Sequence, residues 1–400
     1  MDLYAFRELL TPRGQKALGE AVGAVTDGTD PVAAATRLRK TYDAPLAAAA
    51  LTQARLRARG AVKFGQDAAR MYFTPDGLEQ ATRTEVAAHR ARRFAPGARV
   101  VDACCGIGGD LIALARAGCE VDAVDLDPLT VEVARANAVA LDLGGRVTVR
   151  AADAAETGPE AYDVLFADPG RRSTGRRVFD PMAYSPPWPT VLDMVARARA
   201  ACLKVAPGIP YEFIPAGAEA EWVSYRGEVK EAVLWTGAFT EGGPAEGGAA
   251  GAPRRSATLL PSGHTLTADP ALGPPDHGPV GRYLYEPDGA AIRAHLVAEV
   301  AAQVSGRLLD PQIAYITGDV PASTPWASRY EVLETLPFSL KRLRAALRER
   351  RVGTVTLKKR GSALDLERLR KDLHLSGDKS CVVVLTRIGE RPFAYICDPS

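Results

Sequence analysis

Metal-ligand spacing is missing from this sequence. Its six cysteines (104, 105, 119, 202, 381, 397) form no CxxC pair, and its five histidines (89, 264, 277, 295, 374) lie far apart. Zinc sites need clustered ligands, so no metal is expected and the thiols read as reduced and mostly buried. No apolar run approaches the ~20 residues of a membrane span; the longest clean stretch runs from about Pro45 to Leu51. The opening residues, MDLYAFRELLTPRGQ, carry charge early and lack the apolar core of a secretory leader. A cytoplasmic chain is therefore expected. A surplus of one charge is missing too: 50 Lys+Arg against 48 Asp+Glu leave +2, so only local charge can bear on polyanion binding. What is present is an ordinary globular mixture, 46% hydrophobic and 24% charged over 400 residues. That composition excludes disorder, collagen and coiled coil, and the length allows two or three domains of roughly 150 residues.

Residues 1–95 read as helical. Ala- and Arg-rich stretches such as PVAAATRLRKTYDAPLAAAALTQARLRARG carry high helix propensity, with expected breaks at Pro31, Pro45 and Gly60. Thr74-Pro75-Asp76 is a helix start and DGLEQATRTEVAAHRARRF its body. From 99 the pattern becomes βαβ: RVVDAC strand, GDLIALARAG helix, CEVDAVDL strand, PLTVEVARANAVALDLG helix, then strands RVTVRAAD and YDVLFAD. PTVLDMVARARAACLKV is expected to be helical and IPYEFIP a strand. Near-continuous apolar strands imply a parallel sheet covered on both faces. TEGGPAEGGAAGAP, from 240 to 253, is low in complexity. It reads either as a domain boundary or, preferably, as a long hairpin loop between EAVLWTG and RSATLL, with 269–281 as the linker. Residues 282–400 form a separate α+β unit with helices AAIRAHLVAEVAAQV, SLKRLRAALRER and DLERLRKDL and strands GTVTLKK, SCVVVLTRI and FAYIC.

The most informative segment is VVDACCGIGGD, 100–110, where a strand enters a glycine loop and then a helix. A dinucleotide fingerprint needs a third glycine where Leu111 stands, and Asp102 would set negative charge beside a pyrophosphate. A carboxylate there suits a cationic ligand, and S-adenosylmethionine carries an ammonium and a sulfonium and no phosphate. Asp125, 19 residues after Gly106, ends the second strand where a carboxylate can hold ribose hydroxyls. Asp153 ends the third strand in VRAADA, suited to an adenine amino group.

On these residues the segment 97–262 resembles the class I S-adenosylmethionine-dependent methyltransferases, through DxxxGxGG and the DxD at 125–127. The resemblance implies a Rossmann-like, mostly parallel α/β sheet with an antiparallel closing hairpin. It also implies a cofactor site made of Asp102, Ala103, Cys104, Gly106, Gly108, Gly109, Asp125, Leu126, Asp153 and Ala154. No CxxxCxxC exists, which excludes the radical enzymes that use the same cofactor. The fourth strand ends Asp168-Pro169-Gly170-Arg171-Arg172, where nitrogen methyltransferases carry (D/N)PP(Y/F/W). Asp168-Pro169 matches; Gly170-Arg171 departs. Asp168 is expected to orient the nucleophile or accept its proton, the alternative being a cap at the strand–loop junction. Ser185-Pro186-Pro187-Trp188 resembles the SPPW of the trimethylguanosine synthase-like group, so Trp188 reads either as an aromatic platform or as part of a helix start. Arg171, Arg172, Arg176 and Arg177 read as phosphate contacts or as solvated surface charge.

Between Phe338 and Asp372 there are 12 Lys/Arg and four Asp/Glu, 12 − 4 = +8. Lys358-Lys359-Arg360 would present three cations at a strand end, either as a phosphate-attracting face or as a solvated one. Residues 282–395, through YLYEPDGAAIRAHLV, TLKKRG and CVVVLTRIG, resemble the THUMP-like domain behind bacterial methyltransferase domains, which implies an RNA partner. KFGQDAARMYFTPDGLEQATR resembles the leading segment of the same family, an expected cover for the active site. The expected organisation is thus a helical segment 1–95, a methyltransferase domain 96–265 and a basic THUMP-like domain 282–400. The expected activity is methylation of a base in RNA such as tRNA or rRNA, on nitrogen, with a small-molecule methyltransferase or a catalytically weak RNA-binding module as alternatives.

Overall fold

The computed structural model describes residues 1–171, 181–240 and 254–399, with the side chains of Arg171 and Pro399 outside the description. Two compact units divide it: Met1–Glu219 with Ala232–Gly243, and Ala220–Glu231 with Pro244–Ser400.

The first unit opens with α1 (Leu3–Leu9), α2 (Pro12–Thr26), α3 (Pro31–Leu38), α4 (Ala44–Phe64), α5 (Pro75–Gln80) and α6 (Thr84–Ala91). Asp2, Thr11, Asp30, Asp43 and Thr74 cap the first five by accepting backbone N–H groups of the first turn. Proline in the first turn of α2 to α5 needs no intrahelical N–H partner, so these prolines start helices. The expected break at Gly60 is absent: α4 runs through it, and a Cβ there would come within 2.9 Å of the Phe73 ring. Glycine is used here for close approach. The expected single helix after Thr74 is interrupted at 81–83, where Thr82 turns inward.

The sheet of this unit contains β1 (Arg99–Asp102), β2 (Glu120–Asp125), β3 (Val147–Ala151) and β4 (Val164–Ala167). α7 (Gly109–Arg116) and α8 (Pro128–Ala140) connect the first three. A short ribbon follows, β5 (Gly170–Arg171) with β6 (Tyr184–Ser185), then α9 (Trp188–Arg197) and β7 (Ala200–Val205). β8 (Glu219–Tyr225) and β9 (Glu228–Gly237) come next. Strand order is β3-β2-β1-β4-β7-β9, parallel from β3 to β7, with β9 antiparallel to β7. Two expectations are corrected. AACLKV is the strand β7, not the end of a helix, because Ala200–Val205 is buried between β4 and β9 and the ladder outweighs alanine's helix propensity. IPYEFIP holds a 3₁₀ turn, Tyr211–Phe213, in place of a strand.

The N-terminal helices share one hydrophobic core with this sheet: Phe6, Leu46 and Phe73 cluster with Val100, Ile107 and Leu111. Gln53 and Asn137, both fully buried, pin the connector between α4 and α5. Gln53 bonds both backbone groups of Phe73 (2.6 and 2.9 Å). Asn137 accepts from the Tyr72 N–H (2.6 Å) and donates to the carbonyls of Tyr72 (3.0 Å) and Ile107 (2.8 Å). Ile107 in turn lies against Gly77 of α5, where a Cβ would meet its Cγ2 at 2.3 Å. Gly77→Ala is therefore expected to cost about 1–3 kcal/mol by overpacking, read as a lower denaturant midpoint at unchanged slope.

Residues 220–231, which hold nearly all of β8 and the start of β9, belong to the second unit, and Arg226-Gly227 joins the two strands with both residues at positive φ, as a two-residue hairpin turn requires. β10 (Arg254–Leu260) and β11 (His264–Thr267) follow in the order β11-β10-β8-β9. The expected hairpin between EAVLWTG and RSATLL is thus corrected: β8 lies between them, and the closing hairpin is β8–β9. Residues 241–253 of the expected loop lie outside the described residues.

A separate seven-stranded sheet contains β12 (Tyr283–Pro287), β13 (Arg307–Asp310), β14 (Ile313–Gly318), β15 (Ala327–Pro337), β16 (Val352–Lys359), β17 (Lys379–Ile388) and β18 (Arg391–Pro399). Its order is β13-β14-β12-β15-β18-β17-β16, with only β16–β17 parallel among the pairings described. The expected helix 290–304 is two helices, α10 (Gly289–Arg293) and α11 (Val297–Gln303), parted at His295 with φ +56°. α12 (Leu340–Glu349) and α13 (Leu366–Leu373) bury Leu343, Leu347, Leu369 and Leu373 in a core with Val383 and Ile396.

Candidate active site

Parallel β1, β2, β3 and β4 end at one edge of the sheet, and the carboxylates expected from sequence stand there: Asp102 and Asp125 as last strand residues, Asp153 and Asp168 just beyond β3 and β4. The β1 ladder continues into the glycine loop, with the Ala103 N–H bonded to the Phe166 carbonyl (2.9 Å) and the Cys105 N–H to that of Val124 (3.0 Å). Gly106 (φ +53°) and Gly108 (φ +91°) make the turn that L side chains rarely adopt. A Cβ on Gly106 would project into open space, whereas one on Gly108 would press Leu111 at 3.2 Å.

Asp102 is fully buried. One oxygen accepts the Cys104 N–H (3.2 Å) and the other has no hydrogen-bond partner. Burial, then the nearby Asp110 charge, pushes its carboxyl well above the usual carboxylate range. A buried carboxylate oxygen without a donor asks for a cation. Asp125 accepts the N–H of Gly106 (3.1 Å) and of Asp127 (3.0 Å), and burial raises its pKa. Leu126 beside it is 62% exposed, an apolar surface at the site rim. Asp153 accepts the Ala155 N–H (2.9 Å) and opens a short 3₁₀ turn at buried Ala154. Ala103 is buried and Cys104 half-buried, its thiol held protonated by burial and by Asp102. These features fit a cationic nucleoside: an unpaired buried carboxylate, an open glycine turn, and a second carboxylate beside an exposed apolar side chain.

Asp168 forms an ion pair with Lys204, which parallel pairing of Ala167 with Leu203 brings alongside it. Burial raises the Asp168 pKa while Lys204 opposes the shift. Beneath lies Asp110, in the first turn of α7, paired with fully buried Arg90 of α6 and accepting from Thr82 Oγ1 (2.9 Å). Despite burial its pKa is lowered, through Arg90 and then Lys204. Arg90 also stacks over the Phe166 ring at 5.3 Å. Sequence reasoning missed Arg90, Thr82 and Lys204. Lys204 was hidden by the helical reading of its strand, where a single lysine in an apolar run was the available signal.

Pro169 is buried, and the ribbon β5–β6 pairs Gly170 with Ser185, so the two motifs 168–171 and 185–188 meet in space. Trp188 corrects the platform expectation: it is 3% exposed, opens α9, and packs edge-on against Tyr184 and Phe213. Arg172, Arg176, Arg177 and the side chain of Arg171 lie outside the described residues. In the second unit the three cations expected at the end of β16 are engaged within the protein, with the Lys358 side chain still 39% exposed. Lys358 (3.1 Å) and Arg360 (3.8 Å) pair with Glu286, and Lys359 donates to the Leu364 carbonyl (2.6 Å). Further exposed basic residues stand on α12 (Lys341, Arg342, Arg348) and α13 (Arg368, Arg370, Lys371), with Arg368 paired to Asp372 and Arg370 to Glu367, each at 3.8 Å. Among the described residues no cluster of potential metal ligands occurs, and no helix is long and apolar enough to cross a membrane.

Residues 100–169 match the methyltransferase domain family, 327–399 the THUMP domain-like family, and 2–60 a domain of unknown function, DUF8688. The fold resembles a putative methyltransferase from Porphyromonas gingivalis W83, with a TM-score of 0.77 and 21% identity over 96% of this chain and 98% of that one. An uncharacterized RNA methyltransferase of Parasynechococcus marenigrum is 33% identical over 118 residues, 28% of this chain and 25% of the relative. An uncharacterized S-adenosylmethionine-dependent methyltransferase of Mycobacterium tuberculosis is 39% identical over 360 residues, in both strain CDC 1551 and strain H37Rv. That alignment spans 86% of this chain and 95% of the relative, and with the site geometry it makes this chain a member of the S-adenosylmethionine-dependent methyltransferase family.

Proposed function

We propose that this methyltransferase acts on RNA such as tRNA or rRNA, at a base and on nitrogen, in the cytoplasm, with catalysis in 96–265, RNA docking in 282–400 and 1–95 as a helical segment that supports the site. The observation that carries the RNA reading is the basic surface of the THUMP-like part: a stretch of net charge +8 whose exposed cations crowd α12 and α13. Such a surface attracts phosphate without regard to sequence. The partial likeness to an RNA methyltransferase supports the same reading.

In this reading Asp102 takes the cofactor's ammonium, Asp125 the ribose hydroxyls and Asp153 the adenine amino group. Leu126 and Ala154 would flank the adenine, and Ala103, Cys104, Gly106, Gly108 and Gly109 would form the turn around the amino-acid portion. S-adenosylmethionine supplies an electrophilic methyl on a sulfonium. The protein then holds a nucleophile in line with it, and Asp168 orients that nucleophile and receives its proton. Pro169 stiffens the loop, and Arg171, Arg172, Arg176 and Arg177, close to Asp168 along the chain, are proposed to contact the RNA phosphates.

Labelled methyl from S-adenosylmethionine, offered with size-fractionated RNA from cells lacking the gene, is expected to enter one fraction and to vanish with Asp168→Ala. Label in small molecules alone would overturn the RNA reading. Charge reversal at Lys341, Arg342 and Arg348 is expected to weaken RNA binding and flatten its salt dependence, by about one unit of log–log slope per lost phosphate contact. Cofactor affinity should not change.

A further inference from the structure

Asp168 does not face the substrate alone. Its ion-pair partner Lys204 keeps 14% of its side chain exposed and Asp168 keeps 32%, so neither charge is sealed in the core at this sheet edge. The deeper carboxylate, Asp110, already has Arg90 and Thr82. A pocket for an exocyclic amine uses acceptors and an aromatic ring; here Gly170-Arg171 replaces that part of the motif and Trp188 lies in the core.

A cation beside a reacting nitrogen also selects by charge. An exocyclic amine or an imine nitrogen becomes positive as it takes a methyl, and the Lys204 ammonium opposes that. A ring N–H next to a carbonyl becomes negative once its proton leaves, with the charge largely on oxygen, and the ammonium stabilises it. We propose that Lys204 contacts the substrate and that the methyl acceptor is a ring nitrogen in a lactam, as on the N–H/C=O edge of guanine or uracil. Asp168 takes the N–H proton while Lys204 donates to the neighbouring carbonyl oxygen. The nitrogen keeps the electron pair of its N–H bond and forms the N–C bond with it. The carbon–sulfur pair leaves on sulfur as a neutral thioether, and the proton passes from Asp168 to solvent. This inference rests on the RNA-base reading above and narrows it.

The test uses the intact chain, labelled S-adenosylmethionine and RNA from cells lacking the gene, digested to nucleosides after reaction. Label is expected in ring-N-methylated guanosine or uridine. Lys204→Met is expected to lower kcat about 100-fold with a smaller change in KM, as for loss of a charge-stabilising donor, and Lys204→Arg to recover part of the rate. Among the described residues, the groups facing Asp168 are Lys204 from β7, Asp110 from α7, Arg90 from α6, Asp102 from β1 and the Cys104 thiol of the glycine loop. With Lys204 gone, the remaining carboxylates favour a protonated Asp168, so the rising limb of kcat/KM against pH moves upward. Packing loss alone would not move that limb. Label on an exocyclic amine, a ribose or a carbon would overturn this inference and leave the RNA reading standing, as would a Lys204→Met enzyme of wild-type rate. No label in RNA would overturn both. Product identity is read with the unaltered protein, so the outcome does not depend on whether a variant folds.

Discussion

Asp102→Asn is expected to weaken S-adenosylmethionine binding by about 2–4 kcal/mol, roughly 30- to 1,000-fold, as for removing one member of a buried charge pair. The fold should not suffer with it. Asp102 is fully buried with one oxygen unpartnered and three carboxylates, Asp110, Asp168 and Asp125, acting on it. Its folded pKa is raised, so it binds more protons folded than unfolded, and the stability it contributes falls as pH rises from the unfolded value through the folded one. Asparagine removes that penalty while keeping the shape. Thermal stability at neutral pH should therefore hold or rise as affinity drops. The pH profile gives a second reading: wild-type affinity falls as pH falls through the raised Asp102 pKa, and the variant is flat there. Titration calorimetry of both proteins between pH 5 and 9 decides it, and wild-type affinity in Asp102→Asn would refute the assignment of this carboxylate to the ammonium.

Arg90→Met is expected to do the reverse and act on the fold first. The Arg90–Asp110 pair is buried, with side chains 2% and 11% exposed. Removing the cation strands a carboxylate among other carboxylates, at a cost of about 3–5 kcal/mol. For a unit of 231 residues that is roughly 6–20 °C in Tm. The double variant Arg90→Met/Asp110→Leu should recover most of this, since replacing both members of a buried pair with apolar groups is often near neutral. Asp110 has a lowered folded pKa, so the stability it contributes is present above the ordinary aspartate pKa and lost as pH falls through the folded value. Wild type should show that acid loss in the melting of its first unit, and Arg90→Met should not. Equal Tm values at neutral pH would mean that the pair holds nothing together.

Asp102 and Arg90 differ in how far local sequence reveals them. Asp102 was legible because its neighbours in sequence are its neighbours in space: strand, turn and helix are local, and positive-φ glycines announce the turn at 106 and 108. Arg90 was not legible, because the stretch expected as one helix carries Arg83, Arg90, Arg92 and Arg93, and only the break at 81–83 and the packing of α6 on α7 make Arg90 the buried one. Lys204 shows the same limit from the strand side. Alanine-rich AACLKV has the propensity of a helix, and it is pairing with β4 and β9, made across long sequence separations, that turns it into a strand and sets the lysine beside Asp168.

By itself, then, the sequence determined the βαβ order, the glycine turn, the carboxylates at successive strand ends and the +8 stretch, since each follows from local periodicity, backbone freedom or composition. Tertiary structure alone decided which charges pair. It gave Asp110 to Arg90 and Asp168 to Lys204, drew Lys358 and Arg360 onto Glu286, and put Trp188 in the core. The reason is physical. A charge or ring has its role set by desolvation and by whatever lies within a few ångströms, and those neighbours come from strands and helices far away in the chain.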